Sequence, residues 1–182
     1  SLESATRHPL QSLTDLITIT EHKKVARPKV VLAWAPHVKA SPQAVPNSFS
    51  EWMCKAQQQG LIDFTIAHPM GYDLCEDFTQ GATISDNLEE SLQGADFVYV
   101  KNWSSFVEYG EVYPVAQNWM MDNQKLALTN DAKVMHCLPV RRDLELSSEI
   151  LDGPNSLVVQ EASNRVWAAQ VVLKRMLETL KK

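Results

Sequence analysis

A histidine, a cysteine and two arginines stand close together in the segment VMHCLPVRR, residues 134–142. The apolar residues at its start predict a buried strand, and Leu138-Pro139 predicts an extended turn that ends this strand. Four kinds of site fit such a cluster: a metal site, a cysteine nucleophile, an anion cradle, or a strand end without chemistry. The residue types alone leave all four open.

Strand geometry disfavours the metal site and the nucleophile. Neighbouring residues of a strand point to opposite faces, so His136 and Cys137 are badly placed to share one ion or to act as base and nucleophile. A small buried hydrophobic residue is the other interpretation of Cys137, and it stays open. No chelating spacing is found among the remaining histidines, which are His8, His22, His37 and His68.

Arg141 and Arg142 favour the anion cradle, because guanidinium groups bind carboxylates and phosphates through paired hydrogen bonds. A solvated surface charge is the alternative for each of them, but two consecutive arginines at a predicted cleft predict that one faces inward. A nucleotide site is disfavoured, since the glycines form neither G-x-G-x-x-G nor a Walker loop. The six glycines stand at positions 60, 71, 81, 94, 110 and 153.

The elements that must position this cluster alternate between strand and helix. Strands are predicted at PKVVLAW, DFTIA, ADFVYVKNW, AKVMHCLP and SLVVQ, with Lys133 marking an edge or a strand start. Helices are predicted at HPLQSLTDLITITEHKK, at AVPNSFSEWMCKAQQQG with Gly60 as its stop, at SDNLEESLQGA with Ser85 or Asp86 as its cap, and over residues 162–180.

This alternation predicts an α/β fold, with an open parallel sheet, helices on both faces and right-handed crossovers. Ligands of such sheets bind beyond the carboxyl ends of the strands. The segments that follow the strands are therefore the predicted site, and they read WAPH, AHPMGY, KNW and HCLPVRR.

Composition limits the classes of function. The 182 residues, 45% apolar and 21% charged, fit one ordinary domain, and a net charge of -5 with scattered Lys and Arg disfavours a nucleic-acid partner. No apolar run is long enough for a membrane span. Cys54, Cys75 and Cys137 form no C-x-x-C, which disfavours disulfides and structural zinc and predicts a cytoplasmic location. Without an initiator Met or a signal core, the chain is expected to be part of a longer protein.

Three motifs in this order resemble the carbamoyltransferase family: HPLQSLTDLITI at the start, HCLP followed by RR, and EASNR near the end. The resemblance covers essentially the whole chain and matches the second half of such an enzyme. It implies transfer of a carbamoyl group from carbamoyl phosphate to an amine, without metal or organic cofactor, in a homotrimer. The family's phosphate-binding Ser-x-Arg-Thr motif belongs to the first half and does not occur here, so this chain alone is not expected to catalyse.

The resemblance also implies a division of the chain. Residues 1–24 are expected to form an interdomain helix that carries HPLQ, and residues 25–160 an α/β domain that binds the amino substrate. Residues 161–182 are expected to form a C-terminal helix that packs on a carbamoyl-phosphate domain outside this chain. The apolar stripe of that helix is then expected to be exposed here.

Roles at the carbamoyl group follow from the resemblance position by position. His8 and Gln11 match residues that bind the carbamoyl group, and Arg165 matches an arginine near its oxygen, where a donor stabilises the developing oxyanion. Cys137 and Leu138 match residues that contact the carbamoyl end and the attacking amine through backbone carbonyls.

The amine is expected to be an N-acylornithine, as in the N-acylornithine branch of the family, which serves arginine synthesis. The Ser-Met-Gly element of ornithine enzymes is absent, and Lys101 stands where a free α-ammonium would require an acid. The segment WAPH…PQAVPNS is closer to the succinyl than to the acetyl enzymes. Acyl-substrate contacts are matched by Glu3, His37, Lys101 and Arg141.

Two alternatives stay open: a carbamoyltransferase for another amine, such as ornithine, and a non-catalytic module that binds the substrate. Glu145 follows the two arginines and could pair with one of them, but the sequence assigns it no role.

Overall fold

The computed structural model describes residues 3–111 and 118–180. Its elements are α1 Pro9–His22, β1 Lys29–Trp34, α2 Ala44–Gln58, β2 Asp63–Ala67, α3 Glu76–Thr79, β3 Thr83–Ser85, α4 Leu88–Leu92, β4 Phe97–Lys101, α5 Asn123–Leu126, β5 Lys133–Met135, α6 Ser148–Leu151 and α7 Val158–Leu180. No helix in these two ranges is both long and apolar enough to cross a membrane.

The five strands form one parallel sheet in the order β3-β2-β1-β4-β5. Strand β1 is buried from Val30 to Trp34 and β4 from Phe97 to Val100. Since neighbouring residues point to opposite faces, both faces of the sheet are covered. The predicted α/β fold with an open parallel sheet is confirmed. Lys133 begins β5, which is an edge strand, so both parts of that prediction hold.

The strand order reverses between β1 and β4, because the chain builds outward from β1 to β3 and then returns to the other side of β1. Such a reversal opens a crevice at the carboxyl ends of the two central strands. Trp34 and Lys101 pair at the ends of these strands. The segments WAPH and KNW therefore begin side by side at the switch point of the sheet.

Two local predictions were wrong. SLVVQ is not a strand: Leu157 bonds to Val134 next to β5, and α7 then begins at Val158. Val158 and Glu161 are both buried at one-turn spacing, so helical packing overrides the β-branched composition. The fifth strand is instead β3, which has only three residues and is therefore too short to be recognised from the sequence pattern. The cap of α4 is Asn87, which accepts the Glu90 N–H, rather than Ser85 or Asp86.

Helix α1 forms as predicted, but its most buried face is polar. Leu10, Leu13, Leu16 and Ile17 are only half-buried. The fully buried residues are Gln11, Ser12, Thr14, Asp15, Thr18 and Ile19. Buried polar groups need hydrogen-bond partners, and several of these find them in α7, as Thr18 does with Asn164 (3.0 Å).

Helix α7 packs with α1 along one face, and its buried residues are Val158, Glu161, Asn164 and Ala168. The apolar stripe predicted for this helix is exposed, as expected for this chain. The exposed apolar residues of α7 are Val159, Val166, Trp167, Val171, Val172, Leu173, Met176, Leu177 and Leu180.

Tryptophan side chains connect the loops at the carboxyl edge of the sheet. Trp34 Nε1 donates to the Trp103 carbonyl (2.8 Å), and Trp103 Nε1 donates to the Tyr72 carbonyl (2.7 Å). Each buried indole N–H thus finds an acceptor in a neighbouring loop. The loops after β1, β4 and β2 are fixed to one another, and these loops carry the predicted site.

Candidate active site

The HCLP turn is held by the side chain of His136, which is fully buried. Its Nδ1 accepts the Leu138 N–H (2.9 Å), so Nε2 carries the proton and donates to Glu145 Oε2 (2.9 Å). Burial lowers the pKa of His136, which favours this neutral ring. Both nitrogens of His136 are therefore used to hold the turn.

The turn differs from the predicted extended conformation. Leu138 has φ 58, in the left-handed region, and the Leu138-Pro139 bond is cis. In this left-handed conformation the Leu138 N–H points back along the chain and donates to His136 Nδ1. Cys137 is not a nucleophile in this setting, because burial raises the pKa of its thiol to about 11. Within residues 3–111 and 118–180, no group of three or more His, Cys, Asp or Glu residues could hold a metal ion.

Glu145 is the hub of a network on one side of the turn. Its side chain is 1% exposed, and besides His136 it accepts hydrogen bonds from Asn102 Nδ2 (2.9 Å) and Arg141 Nη1 (3.4 Å). Arg142 instead forms a paired surface salt bridge with Asp152. One of the two arginines, Arg141, faces inward as predicted. It pairs with Glu145, to which the sequence assigned no role.

Lys101 joins the same network at the end of β4, where its Nζ donates to Asn102 Oδ1 (3.0 Å). Asn102 therefore links Lys101 to Glu145. A buried carboxyl group that accepts from several donors holds those donors in fixed positions. Arg141 thus contacts Glu145 directly, and Lys101 is connected to it through Asn102, so that both cations belong to one network at the carboxyl edge of the sheet.

His37 lies beside these cations and is 2% exposed. Its Nδ1 donates to the Lys39 carbonyl (2.9 Å), so Nε2 is left as an acceptor, and this atom is buried without a partner among the described residues. Burial lowers the pKa of His37, and the charges of Glu145 and Arg141 act on it as well. The site therefore contains a neutral histidine whose acceptor nitrogen is free for a ligand N–H.

The AHPMGY segment forms one wall of a cavity of about 570 Å³. Tyr72 connects this cavity to His37, since their ring centroids are 5.9 Å apart. The loop after β4 and Trp119 line the opposite wall. The wall of the cavity is mostly apolar, and Asp86 and Glu108 are the two acidic residues that line it.

A second network lies where α1, α7 and the HCLP turn meet. Gln11 Nε2 donates to Asp15 Oδ1 (2.8 Å) and to Glu161 Oε1 (3.1 Å). The other oxygen of Glu161 accepts the His136 N–H (2.9 Å). Gln11, predicted to bind the carbamoyl group, is thereby joined to the turn that carries Cys137.

Asp15 and Glu161 are buried side by side, which makes this network chemically unusual. Burial raises the pKa of Asp15 to about 7 and the pKa of Glu161 well above its ordinary value. Arg165 lies one turn after Glu161 in α7, and its positive charge opposes the rise in the pKa of both acids. The side chain of Arg165 is itself exposed. The structure thus brings Gln11, Cys137 and Arg165 around one carboxyl pair.

His8 and Glu3 lie at the start of α1. The His8 N–H donates to Ser48 Oγ (2.7 Å), and His8 Nδ1 is buried without a partner among the described residues. His8 Nε2 is 3.9 Å from Glu3 Oε2. Glu3 therefore lies beside a predicted carbamoyl residue, and its predicted contact with the acyl substrate stays a prediction.

Four residues of these networks were missed by the sequence analysis or left without a role: Asp15, Asn102, Glu145 and Glu161. The sequence indicated a contact for Glu145 only weakly, through its position four residues after Arg141. It indicated a contact for Asp15 more strongly, because Asp15 lies four residues after Gln11 on the same face of a predicted helix. Asn102 and Glu161 gave no signal, because their partners are distant in the sequence.

Comparison with known proteins places these residues in context. The family model described as Aspartate/ornithine carbamoyltransferase, Asp/Orn binding domain, matches residues 47–176. An N-succinylornithine carbamoyltransferase of Bacteroides fragilis is 48% identical over 182 residues, which cover 99% of this chain and 56% of that protein. An N-acetylornithine carbamoyltransferase of Xylella fastidiosa is 30% identical, over 91% of this chain and 54% of that protein. The chain spans little more than half the length of these curated relatives.

Solved structures agree with the sequence comparison. An acetylornithine transcarbamylase complexed with acetylcitrulline has a TM-score of 0.83 and 30% identity, over 94% of this chain and 56% of that one. A mutant N-acetyl-L-ornithine transcarbamylase complexed with carbamyl phosphate and N-succinyl-L-norvaline gives the same TM-score and identity. The fold, the strand-end site and the family match all agree: this chain belongs to the aspartate/ornithine carbamoyltransferase family.

Proposed function

We propose that the full-length protein transfers the carbamoyl group of carbamoyl phosphate to the δ-amine of N-succinyl-L-ornithine. The products are N-succinylcitrulline and phosphate, in arginine biosynthesis. The observation that carries this proposal is the pair of cations, Lys101 and Arg141, held around buried Glu145 at the switch point. The 48% identity to the N-succinylornithine enzyme supports succinyl over acetyl, where the identity is 30%.

The acyl substrate explains the charges at this edge. N-succinylornithine carries two carboxylates, and Lys101 and Arg141 bind them in the proposed complex. A free α-ammonium would be repelled by Lys101, whereas acylation converts it to a neutral amide. The amide N–H of the acylated α-nitrogen is a suitable donor to His37 Nε2, and the site thus selects the acylated over the free amino acid.

The carbamoyl residues act on the reacting atoms. The δ-amine attacks the carbamoyl carbon, a C–N bond forms, and the C–O bond to phosphate breaks. His8 and Arg165 stabilise the oxyanion, and Gln11 Oε1 accepts from the carbamoyl NH₂. The backbone carbonyls of Cys137 and Leu138 orient the amine, and phosphate accepts its proton.

The rest of the full-length protein belongs to the same proposal. We propose that residues 1–24 connect two domains, that residues 25–160 bind the acylornithine, and that residues 161–182 pack on a carbamoyl-phosphate domain. The exposed apolar residues of α7 support this packing. A homotrimer and a cytoplasmic location are proposed from the resemblance and from the cysteine pattern.

A substrate comparison tests the function. The full-length protein is assayed with carbamoyl phosphate and, in turn, N-succinylornithine, N-acetylornithine and ornithine. We expect the highest kcat/KM with N-succinylornithine. Highest turnover of free ornithine would overturn the acyl assignment, and ligand binding with no turnover of any amine would favour a binding module.

A further inference from the structure

We propose that Asp15 and Glu161 are positioning residues that determine which end of the Gln11 amide faces the carbamoyl group, an inference that rests on the proposed function. The three side chains are each at most 2% exposed. Two hydrogen bonds from Gln11 Nε2 end on the two carboxyl groups. Asp15 and Glu161 contact no reacting atom in this proposal and act through Gln11.

The geometry of an amide gives the reason. A primary amide has two N–H donors on nitrogen and an acceptor oxygen on the opposite branch. With both donors of Gln11 bound to carboxyls, the nitrogen end is fully occupied. The oxygen end is then the one presented to a ligand, and it suits the NH₂ of a carbamoyl group. Without the two acceptors, the amide could rotate and present its nitrogen instead.

A shared proton makes the carboxyl pair compatible with burial. Two adjacent carboxylates in a buried site cannot both ionise at low cost. Asp15 Oδ2 accepts no N–H hydrogen bond from the described residues, and the Glu161 carboxyl lies within hydrogen-bond range of Asp15. A proton held between them satisfies this oxygen. The other ionisable groups facing the pair are Arg165, Tyr99 and Cys137.

The pair is asymmetric, and this gives a sharp test. Asp15→Asn can keep Oδ1 on Gln11 while its new NH₂ donates to Glu161, which imitates the protonated acid. Glu161→Gln cannot keep both of its bonds, because its two oxygens accept from Gln11 and from the His136 N–H. One of these donors would then face the new NH₂ group.

The variants are measured in the full-length protein, with carbamoyl phosphate varied at saturating N-succinylornithine. Glu161→Gln loses one hydrogen bond, and we expect it to reduce kcat/KM for carbamoyl phosphate at least about tenfold. Asp15→Asn keeps its bond to Gln11, and we expect its reduction of kcat/KM to be several times smaller. Glu89→Gln, an exposed residue of α4, is the matched control. Equal losses in Glu161→Gln and Asp15→Asn would overturn the inference.

A double-mutant cycle separates positioning from a structural role. If Glu161 acts through Gln11, Glu161→Gln should have little further effect on kcat/KM in a Gln11→Ala background, although it still lowers Tm. Independent, multiplying effects would overturn the inference. If the unmodified full-length protein transfers no carbamoyl group, the proposed function fails by itself. The hydrogen-bond pattern is then tested by Tm alone, and Glu161→Gln must still cost more than Asp15→Asn.

Discussion

Two buried acids, Glu145 and Glu161, stabilise the two sides of the site in opposite surroundings. Glu145 accepts only from donors, among them His136 and Arg141, whereas Glu161 lies against a second carboxyl, Asp15. On the Glu145 side, one buried carboxyl group binds Arg141 and, through Asn102, Lys101, which are the cations proposed to bind an anionic substrate. On the Glu161 side, the two acids bind the Gln11 amide nitrogen, and they are proposed to orient this neutral amide towards the neutral carbamoyl group. The partners of a buried acid therefore decide which ligand chemistry it supports.

The largest effect is expected from reversing a charge on the cationic side. Lys101→Glu in the full-length protein places a carboxylate where the substrate carboxylate is proposed to bind. We expect kcat/KM for N-succinylornithine to fall about a hundredfold, equivalent to ~3 kcal/mol. Lys23→Glu, at an exposed residue just after α1, is the control. Unchanged activity in Lys101→Glu would show that Lys101 binds no carboxylate.

Glu145→Gln tests the hub of the cationic side. The new NH₂ faces a donor in either orientation of the amide: the Nε2–H of His136 in one, and Asn102 Nδ2 and Arg141 Nη1 in the other. A tautomer change of His136 would not help, because it would set the Nδ1–H against the Leu138 N–H. We expect the free energy of unfolding to fall by ~2 kcal/mol, measured by chemical denaturation. A loss no greater than that of Glu89→Gln would contradict the network.

The two adjacent arginines provide a matched pair of variants. Arg141 contacts Glu145 and is proposed to bind substrate, while Arg142 pairs with Asp152 at the surface. We expect Arg141→Ala to lower kcat/KM for N-succinylornithine about tenfold and Arg142→Ala to change it less than about twofold. The reverse order would exchange their assigned roles.

The last expected effect concerns how stability depends on pH on the carboxyl-pair side. Because burial raises the pKa of Asp15 from 3.8 to about 7, the folded state holds a proton that the unfolded state has lost between these values. Stability should therefore decrease as pH rises from about 4 to about 7, by up to about 1 kcal/mol per pH unit. Asp15→Asn should flatten this slope in denaturation curves, and an unchanged slope would contradict the shared proton.

The sequence was informative where one local pattern determined the outcome. The continuous apolar runs located β1, β2 and β4, and the paired arginines indicated one inward guanidinium. Prediction failed where distant residues decide, as for SLVVQ, where packing of Glu161 against α1 favours helix over strand. Glu145 could be expected to pair, but its burial depends on Asn102, 43 residues away along the chain.

A crystal structure of the full-length protein with carbamyl phosphate and N-succinyl-L-norvaline tests both sides together. A related transcarbamylase binds this pair of ligands, and the norvaline analogue lacks the attacking amine. We predict its carboxylates within hydrogen-bond distance of Lys101 and Arg141, and the carbamoyl NH₂ on Gln11 Oε1. Carboxylates bound away from both cations, or a Gln11 amide that presents its nitrogen to the ligand, would contradict this account.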